Sequence, residues 1–236
     1  MQIYEFIGKC IDSYLNFLRH ILMLKNFEYI CVEKRKHCNY ILMSTKITIR
    51  QATAKDAEAI ARVVAMAIGD KSTLESYCGK DYLSVLTAIA QQHDTQYSWR
   101  HSLIAHVDGA VAGAIVGYDG GKLTELRDAT FAVIQKIVGR QPIISDETEA
   151  GEFYLDSVGV FPEFRGKGVG VALITALCQR AATECHSCVG LIVECGNDQA
   201  ARLYTSLSFE RVGTKLFFGH KMWHLQRQIT QNNDND

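Results

Sequence analysis

The chain has 236 residues, of which 47% are apolar and 22% charged, and 25 Lys and Arg nearly balance 26 Asp and Glu, giving a formal net charge of -1. This length and apolar content predict one domain, or one domain with an appendage, and exclude a disordered chain. A neutral balance argues against a nucleic-acid or anionic-membrane binder, because such binding depends on a basic surface. We also expect no membrane span and no secretory signal, since charged residues interrupt every apolar run near the N-terminus.

The first 42 residues differ in composition from the rest of the chain. Ile3, Ile7, Ile11, Leu15 and Leu18 recur at helical spacing, which predicts a marginal amphipathic helix. Met43 is followed by Ser-Thr-Lys and resembles an initiator methionine. We therefore expect residues 1–42 to be an N-terminal extension from an upstream start, 43–228 to be the functional domain and 229–236 to be a disordered tail. A genuine N-terminal helix packed on the domain is the alternative.

Helix and strand patterns alternate from Ile47 onward and predict a mixed α/β fold. Thr53 and Asp56 have the spacing of a capping box, Gly69 is a helix stop and Asp108-Gly109 is a hairpin turn. The predicted strands cover 47–50, 102–107, 110–116, 153–160 and 189–194; the helices cover 53–68, 81–92, 124–137, 168–182 and 199–207; the final hairpin covers 209–213 and 216–224. Residues 120–150 form a long insert before the strand at 153.

The eight cysteines favour a reducing compartment, because no secretory signal accompanies them. We therefore expect free thiols and a cytoplasmic location. Cys185 and Cys188 form a C-x-x-C pair, but no second pair stands at the spacing of a zinc ribbon. Ordinary packing cysteines are the preferred interpretation over a zinc or redox site, and no metal is expected.

The most informative segment is a glycine loop between the strand at 153–160 and the helix that follows it. Gly166, Gly168 and Gly170 stand at every second position, and this spacing lets the backbone turn tightly and expose its N–H groups. The helix N-terminus adds unpaired N–H groups and a positive dipole end, so the loop could hold phosphate oxygens. A tight strand–helix turn without a ligand is the alternative. The spacing matches neither a P-loop nor a dinucleotide fingerprint.

Two motifs in this region resemble those of the GCN5-related N-acetyltransferase (GNAT) superfamily. The first is the run from Leu155 to Gly170, with its Arg165-Gly166-Lys167-Gly168-Val169-Gly170 loop. The second begins at Asn197 and continues through Tyr204 to Phe209. The resemblance covers about residues 46–225. Ser208 stands where the family usually has a glycine that ends the helix in a left-handed turn, and we expect Ser to adopt that turn at a cost of about 1 kcal/mol.

The resemblance implies an α/β fold of the GNAT type, with a mixed, mostly antiparallel twisted sheet flanked by helices and splayed at the acyl-CoA strand. It also implies acetyl-CoA as co-substrate, with the pantetheine arm paired to the strand edge. The residues implied in coenzyme binding are Val158, Gly159, Val160, Arg165, Gly166, Lys167, Gly168, Val169, Gly170 and Asn197. Packing in a strand and capping of a helix are the alternative roles for Val158, Val160 and Asn197.

Two residues are candidates for acid–base catalysis. The resemblance places the Tyr204 hydroxyl near the thioester sulfur as the general acid, against the alternative of a half-buried aromatic. Asp156 is a carboxylate within an apolar strand, which is unusual because burying an unpaired charge is costly. We expect it to act as base or amine-recognition group, with a purely structural Asp as the alternative. Tyr154 shares its face of the strand, and Glu152 does too if no bulge intervenes.

The predicted function is transfer of an acetyl group from acetyl-CoA to a primary amine, directly in a ternary complex. The acceptor is expected to be a small amine or a protein or peptide amino group, and the protein a monomer or homodimer. The 120–150 insert should shape the acceptor pocket, and its acidic run at 146–149 favours a cationic amine. The alternatives are a non-catalytic acyl-CoA-binding or sensing module, and an enzyme that uses a longer acyl chain. His101, His106, His220 and His224 are interpreted as packing residues.

Overall fold

The computed structural model describes residues 46–229 with their side chains and the backbone of two further strands, Phe27–Val32 (β1) and Asn39–Ser44 (β2). The predicted helix near the N-terminus and residues 230–236 of the predicted tail lie outside the described residues. Contacts divide the chain into two compact units, one of Met1–Lys46 with Gly166–Gly168 and one of Ile47–Arg165 with Val169–Asp236. In the first unit, β1 and β2 pair antiparallel, with Met43 opposite Glu28.

The second unit is a mixed α/β layer structure. Its strands are Ile47–Gln51 (β3), Ser102–Val107 (β4), Ala110–Asp119 (β5), Phe153–Val160 (β6), Cys188–Glu194 (β7), Glu210–Phe217 (β8) and His220–Gln228 (β9). Its α-helices are Ala57–Ile68 (α1), Lys71–Cys78 (α2), Tyr82–Ala90 (α3), Leu123–Val138 (α4), Val169–Thr183 (α5) and Asp198–Ser206 (α6). The sheet order is β3-β4-β5-β6-β7-β9-β8, and every pairing is antiparallel except that of β6 with β7.

Alternating side chains of the central strands divide the core between the two faces of the sheet. Ile104 and Ala114 pack with α1 and α3, whereas their neighbours Ala105 and Ile115 pack with α5. The helices therefore cover both faces, and the predicted fold class is confirmed.

The sheet is splayed between β6 and β7, as the fold class predicted. These two strands pair only through Phe153 with Val189 and Tyr154 with Gly190. Beyond Tyr154 the strands diverge, so the rest of β6 presents an edge that β7 does not cover. This gap positions the candidate site.

Two local features differ from the sequence analysis. Helix α2 is absent from the predicted elements; it has only eight residues, and Asp70 caps it by accepting a 2.8 Å bond from the Thr73 N–H. The last hairpin turns at Phe218 and Gly219, not between Gly213 and Leu216, because Phe218 and Gly219 both have positive φ angles, of 48° and 79°. Gly213 instead lies at an irregularity of the β8–β9 register.

Candidate active site

The divergence of β6 from β7 opens a cleft of about 730 Å³ in the second unit. Its walls are residues 66–70, 72, 73, 97, 154–158, 192–194, 197, 200, 204, 217, 218, 220 and 222. Both predicted acid–base residues, Asp156 and Tyr204, lie in these walls, together with Val158 and Asn197. The structure thus brings together residues from the strand motif and from the downstream helix motif.

Strand β6 has a β-bulge at Asp156. Val116 pairs with Ser157 and Gly117 pairs with Leu155, so Asp156 has no partner of its own on β5. Phe153 and Leu155, before the bulge, pack on the α5 face of the sheet, and Val158 and Val160, after it, pack on that same face. The extra residue therefore reverses the alternation after Asp156, so Asp156 and Ser157 both lie on the face opposite to α5, and both line the cleft.

The Asp156 carboxylate accepts two short hydrogen bonds. Tyr118 donates through its hydroxyl at 2.9 Å, and Ser157 donates through its hydroxyl at 2.7 Å. Burial raises the pKa of Asp156, and the bonds from Ser157 and Tyr118 oppose part of that increase. A carboxylate with a raised pKa holds a proton more readily than an exposed one, as a general base requires.

Glu152 does not share this environment, although the alternation of the strand allowed it. Its carboxylate is buried at the start of β6, where His224 Nε2 lies 2.8 Å away and Gln226 Nε2 donates at 2.8 Å. Thr148 donates a further bond of 2.6 Å. Burial alone would raise the pKa of Glu152, but these bonds outweigh it and hold the pKa below its usual range. His224 is thus a packing residue with a partner, as predicted.

Tyr204 also lines the cleft, from helix α6. Its ring packs edge-on against Phe209, and burial raises the pKa of its hydroxyl to about 12. The hydroxyl therefore keeps its proton at neutral pH. Asn197 caps the same helix by accepting a 3.1 Å bond from the Ala200 N–H, so its capping role is present alongside its place in the cleft. Ser208 ends the helix region with a φ of 64°, in the left-handed turn expected of it.

The glycine loop has the local conformation that an anion-binding turn needs. Gly166 and Gly168 have φ angles of 75° and 82°, which favour glycine, and helix α5 begins at the next residue, Val169. Arg165 donates from Nε to the Val160 carbonyl at 3.1 Å and so ties the start of the loop to the end of β6. Of the predicted coenzyme residues, Gly159, Val160 and 165–170 lie outside the walls of the cleft, along the chain that leads from β6 into α5.

Beyond Tyr154, the edge of β6 on the side of β7 has no strand partner among the described residues. The exposed edge of β6 from Leu155 to Val160 is about 20 Å long at the usual strand rise. Its backbone groups can pair with the amides of a pantetheine arm, as in β-strand addition.

One end of the cleft has walls that the sequence analysis did not identify. They come from the α1–α2 connection, from Tyr97 and from the β8–β9 turn at Phe217 and Phe218. A second cavity of about 540 Å³ shares Ser72, Thr73 and Phe218 with the cleft and adds residues 143–145 of the insert. No pattern in the sequence indicated Tyr97 or the two Phe residues, because only the fold brings these distant segments together.

The cleft walls carry acidic side chains. Asp70, Asp156 and Glu194 line it, and the described residues of its walls include no Lys or Arg. His220 Nδ1 lies 3.1 Å from Glu194 at the rim. Among the described residues there is no cluster of three or more His, Cys, Asp or Glu that could hold a metal ion. No helix in the described part of the chain is long and apolar enough to cross a membrane.

Comparison with known proteins agrees with this geometry. The model of the acetyltransferase (GNAT) family matches residues 73–209, which is more than half of the chain. The chain belongs to the GNAT acetyltransferase family. Its acyl donor is therefore acetyl-CoA, the co-substrate of the family. A search of curated proteins finds no match.

Solved structures resemble the chain over most of its length. A crystal structure described as an acetyltransferase is 29% identical, covers 78% of this chain and 100% of its own, and has a TM-score of 0.67. An N-acetyltransferase from Staphylococcus aureus Mu50 is 23% identical over 76% of this chain and 99% of its own, with a TM-score of 0.66. The structure of yncA from Salmonella typhimurium, which contains acetyl-CoA, is 19% identical over 80% and 98%, with a TM-score of 0.52. The last two likenesses concern the fold.

Proposed function

We propose that this GNAT protein is an N-acetyltransferase that acetylates a primary amine directly, in a ternary complex with acetyl-CoA. The observation that carries the proposal is that a carboxylate with a raised pKa, Asp156, and a protonated phenol, Tyr204, line the same cleft. Acyl transfer to an amine needs both a proton acceptor and a proton donor. A sensing module that only binds acyl-CoA needs neither.

In this proposal each residue has one task. Acetyl-CoA supplies a thioester whose acetyl group passes to the amine. Asp156 removes the ammonium proton of the acceptor, directly or through water, so that the nitrogen lone pair becomes available. Tyr204 gives its proton to the thiolate that leaves. Residues 158–160 align the coenzyme through the β6 backbone, Asn197 contacts the pantetheine, and residues 165–170 bind the pyrophosphate.

The acceptor is proposed to be a cationic amine. Three carboxylates and no described Lys or Arg in the cleft walls favour a positive ligand over an anionic one. The second cavity, which shares Ser72, Thr73 and Phe218 with the cleft, is the proposed place for the rest of a longer acceptor. A small amine and the amino group of a peptide both fit this description. The cytoplasm is the proposed location, because the described cysteines are free thiols.

The proposal is tested with a panel of amines and peptides, assayed by thiol release and by the mass of the products. Tyr204→Phe and Asp156→Asn should each lower turnover by about 10²–10⁴-fold. Acetyl-CoA affinity should stay nearly unchanged in Tyr204→Phe, since only a hydroxyl is lost. The matched controls are Tyr82→Phe and Asp128→Asn, which lie outside the cleft walls. An acceptor of low amine pKa should partly rescue the Asp156 variant and not the Tyr204 variant.

Two outcomes would contradict the proposal. The first is binding of acetyl-CoA with no product from any amine, which would favour the sensing module. The second is wild-type turnover in Tyr204→Phe under conditions where chemistry limits the rate, which would remove Tyr204 as the acid.

We further propose that residues 1–42 are an extension that the acetyltransferase domain does not need. The proposed boundary at Met43 falls inside β2, so a chain that starts there loses the β1–β2 pair. A two-stranded sheet alone has marginal stability. The shortened chain should keep its thermal transition and its coenzyme affinity. Loss of soluble protein or of acetyl-CoA binding would show that the extension is structural.

A further inference from the structure

A chain of buried polar side chains leads from Asp156 away from the cleft. Tyr118 donates to Asp156 Oδ2 at 2.9 Å, and Gln96 Nε2 donates to the Tyr118 hydroxyl oxygen at 3.1 Å. The same Gln96 nitrogen donates to Glu147 Oε1 at 3.0 Å, and Arg127 donates to the other oxygen of Glu147. Tyr118, Gln96, Glu147 and Arg127 are all buried.

We propose that Tyr118 is a positioning residue for the base of this enzyme, and that Gln96, fixed by Glu147 of the insert, sets the direction of the Tyr118 hydroxyl. This inference rests on the proposed function, because it assigns Asp156 as the group that takes the acceptor proton. It also gives Glu147, which belongs to the acidic run at 146–149, a buried structural role.

The direction of each hydrogen bond follows from the donors and acceptors available. Above the pKa of Glu147, which burial raises to about 7, its carboxylate is ionised and only accepts, so it requires the NH₂ side of the Gln96 amide. That amide group has two N–H donors, and the second points to the Tyr118 oxygen. Tyr118 has one proton, and Gln96 already donates to its oxygen, so the Tyr118 proton goes to Asp156. Gln96 Oε1 is left buried without a partner, which is the cost of this orientation.

The far end of the chain is anchored by the insert and by helix α4. Arg127 donates to Glu147 and Asp146, and its side chain is only 8% exposed. The Gln96 backbone N–H donates to Thr130 Oγ1 at 2.9 Å. Thr130 and Arg127 lie on one helix, so Gln96 and Glu147 are both held by α4. The anchor is therefore rigid, as positioning of a reacting group requires.

The charged and titratable groups around Asp156 come from every element packed on it. They are Tyr77, Tyr97, Tyr118, Tyr154, Glu147 and Arg127. Burial, followed by repulsion from Asp156, raises the pKa of Glu147 to about 7. The Tyr118 bond favours the ionised form of Asp156, so its loss should raise the pKa of Asp156 further.

The test compares Tyr118→Phe with wild-type full-length protein. Activity requires ionised Asp156 and falls as pH drops below its pKa. The acid limb of kcat/KM should therefore move to higher pH by about one unit, since a bond to a charged group is lost. The control is Tyr77→Phe, which loses a buried hydroxyl bonded to Tyr97 at 3.2 Å and should leave the limb in place.

A second variant tests Gln96 and keeps the inference falsifiable if Tyr118→Phe fails to fold. Gln96→Met should move the acid limb in the same direction by a smaller amount. In this variant Tyr118 still donates to Asp156, but its hydroxyl oxygen no longer accepts the bond from Gln96 that directs it. In the double variant Gln96→Met should add nothing to Tyr118→Phe. An additive shift would show that Gln96 acts independently of Tyr118, and it would overturn the proposed chain of hydrogen bonds from Gln96 through Tyr118 to Asp156.

A measurement that does not depend on activity separates this inference from the proposed function. The carboxyl carbon of Asp156 is titrated by NMR in protein with ¹³C-labelled Asp, with Asp156→Asn to assign the signal. A higher pKa in Tyr118→Phe than in wild type supports the inference even if no amine is acetylated. An unchanged pKa in both Tyr118→Phe and Gln96→Met overturns it even if the enzyme is active.

Discussion

At the residue scale, Asp56 shows how one carboxylate joins the first strand of the sheet to the first helix. Its oxygens accept two bonds from the Arg50 guanidinium, at 2.7 and 2.8 Å, and one from the Thr53 N–H at 2.7 Å. The bond from Arg50 has the largest effect and lowers the pKa of Asp56 to about 2, against a smaller opposing effect of burial. Folding therefore stabilises the ionised form.

This shift predicts a pH-dependent contribution to stability. A depressed pKa contributes at pH values above the unfolded pKa of about 4, and the contribution is lost as pH falls towards 2. Asp56→Asn should lower the free energy of unfolding by about 1–2 kcal/mol at pH 7. Urea denaturation of both proteins at pH 7 and near pH 2.5 measures this. The difference should shrink at low pH, and an equal difference at both pH values would show that it does not come from the charge.

The sequence predicted the Thr53–Asp56 box because its four residues are adjacent and their spacing is informative. It could not predict the network behind Asp156. Tyr118 is 38 residues from Asp156, and Glu147 is 51 residues from Gln96. No local pattern links residues so far apart, since their contact depends on strand register and on the path of the insert.

At the element scale, strand β6 had predictable bounds but an unpredictable register. The apolar run at 153–160 coincides with the observed strand. The sequence does not show where an extra residue is accommodated, because a bulge depends on the pairing with β5. That single irregularity decides which face of the sheet the β6 residues after Asp156 occupy. The turn between β8 and β9 was misplaced for a related reason: Gly213 has the residue type of a turn, but Phe218 adopts the left-handed conformation.

Strand β7 contains a glycine that the neighbouring strand requires. A Cβ added at Gly190 would lie 1.8 Å from Glu152 Oε2. Glu152 cannot move aside without losing its bonds to His224 and Gln226. The glycine therefore provides the space in which a buried carboxylate is held beside the splay of the sheet.

Gly190→Ala should consequently destabilise the protein by about 2–4 kcal/mol, through overpacking and the loss of buried hydrogen bonds. The matched control is Gly213→Ala in β8, where an added Cβ meets nothing within 4 Å. It should change the free energy of unfolding by less than about 1 kcal/mol. Equilibrium urea unfolding of the two variants gives the comparison. Equal stability of Gly190→Ala and wild type would show that Glu152 has room to relocate.

At the scale of the whole molecule, the seven-stranded sheet consists of two parts joined by a short seam. Strands β3 to β6 form one part and β7, β9 and β8 the other, and two residue pairs of β6 and β7 connect them. Pattern alone predicted most of the elements but not their order in the sheet; the resemblance to the GNAT family implied only a mixed, mostly antiparallel sheet splayed at the acyl-CoA strand. The order follows from long-range pairing that leaves no local trace in sequence.

A coenzyme that pairs with the open edge of β6 should add to the contacts at this seam. We therefore expect acetyl-CoA to stabilise the folded state, by about 2.7 kcal/mol at 100 times its dissociation constant. Thermal unfolding with increasing acetyl-CoA measures the effect, and the midpoint should rise by several degrees. A midpoint that does not depend on acetyl-CoA would contradict binding to the native protein.

The stabilisation by acetyl-CoA can also be tested with single substitutions in the glycine loop. Gly168 has a φ of 82°, a backbone conformation that is strained for alanine. In Gly168→Ala the loop should therefore adopt another conformation, in which its amides point in other directions. Gly170 lies in helix α5, where an added Cβ would meet Val160 Cγ2 at an ordinary 3.7 Å. Restoring the loop on binding costs about 1–2 kcal/mol, so Gly168→Ala should weaken acetyl-CoA binding about 5- to 30-fold and reduce the thermal shift. Gly170→Ala should keep both. Calorimetry that gives the two variants equal affinity would show that the conformation at Gly168 does not serve the coenzyme.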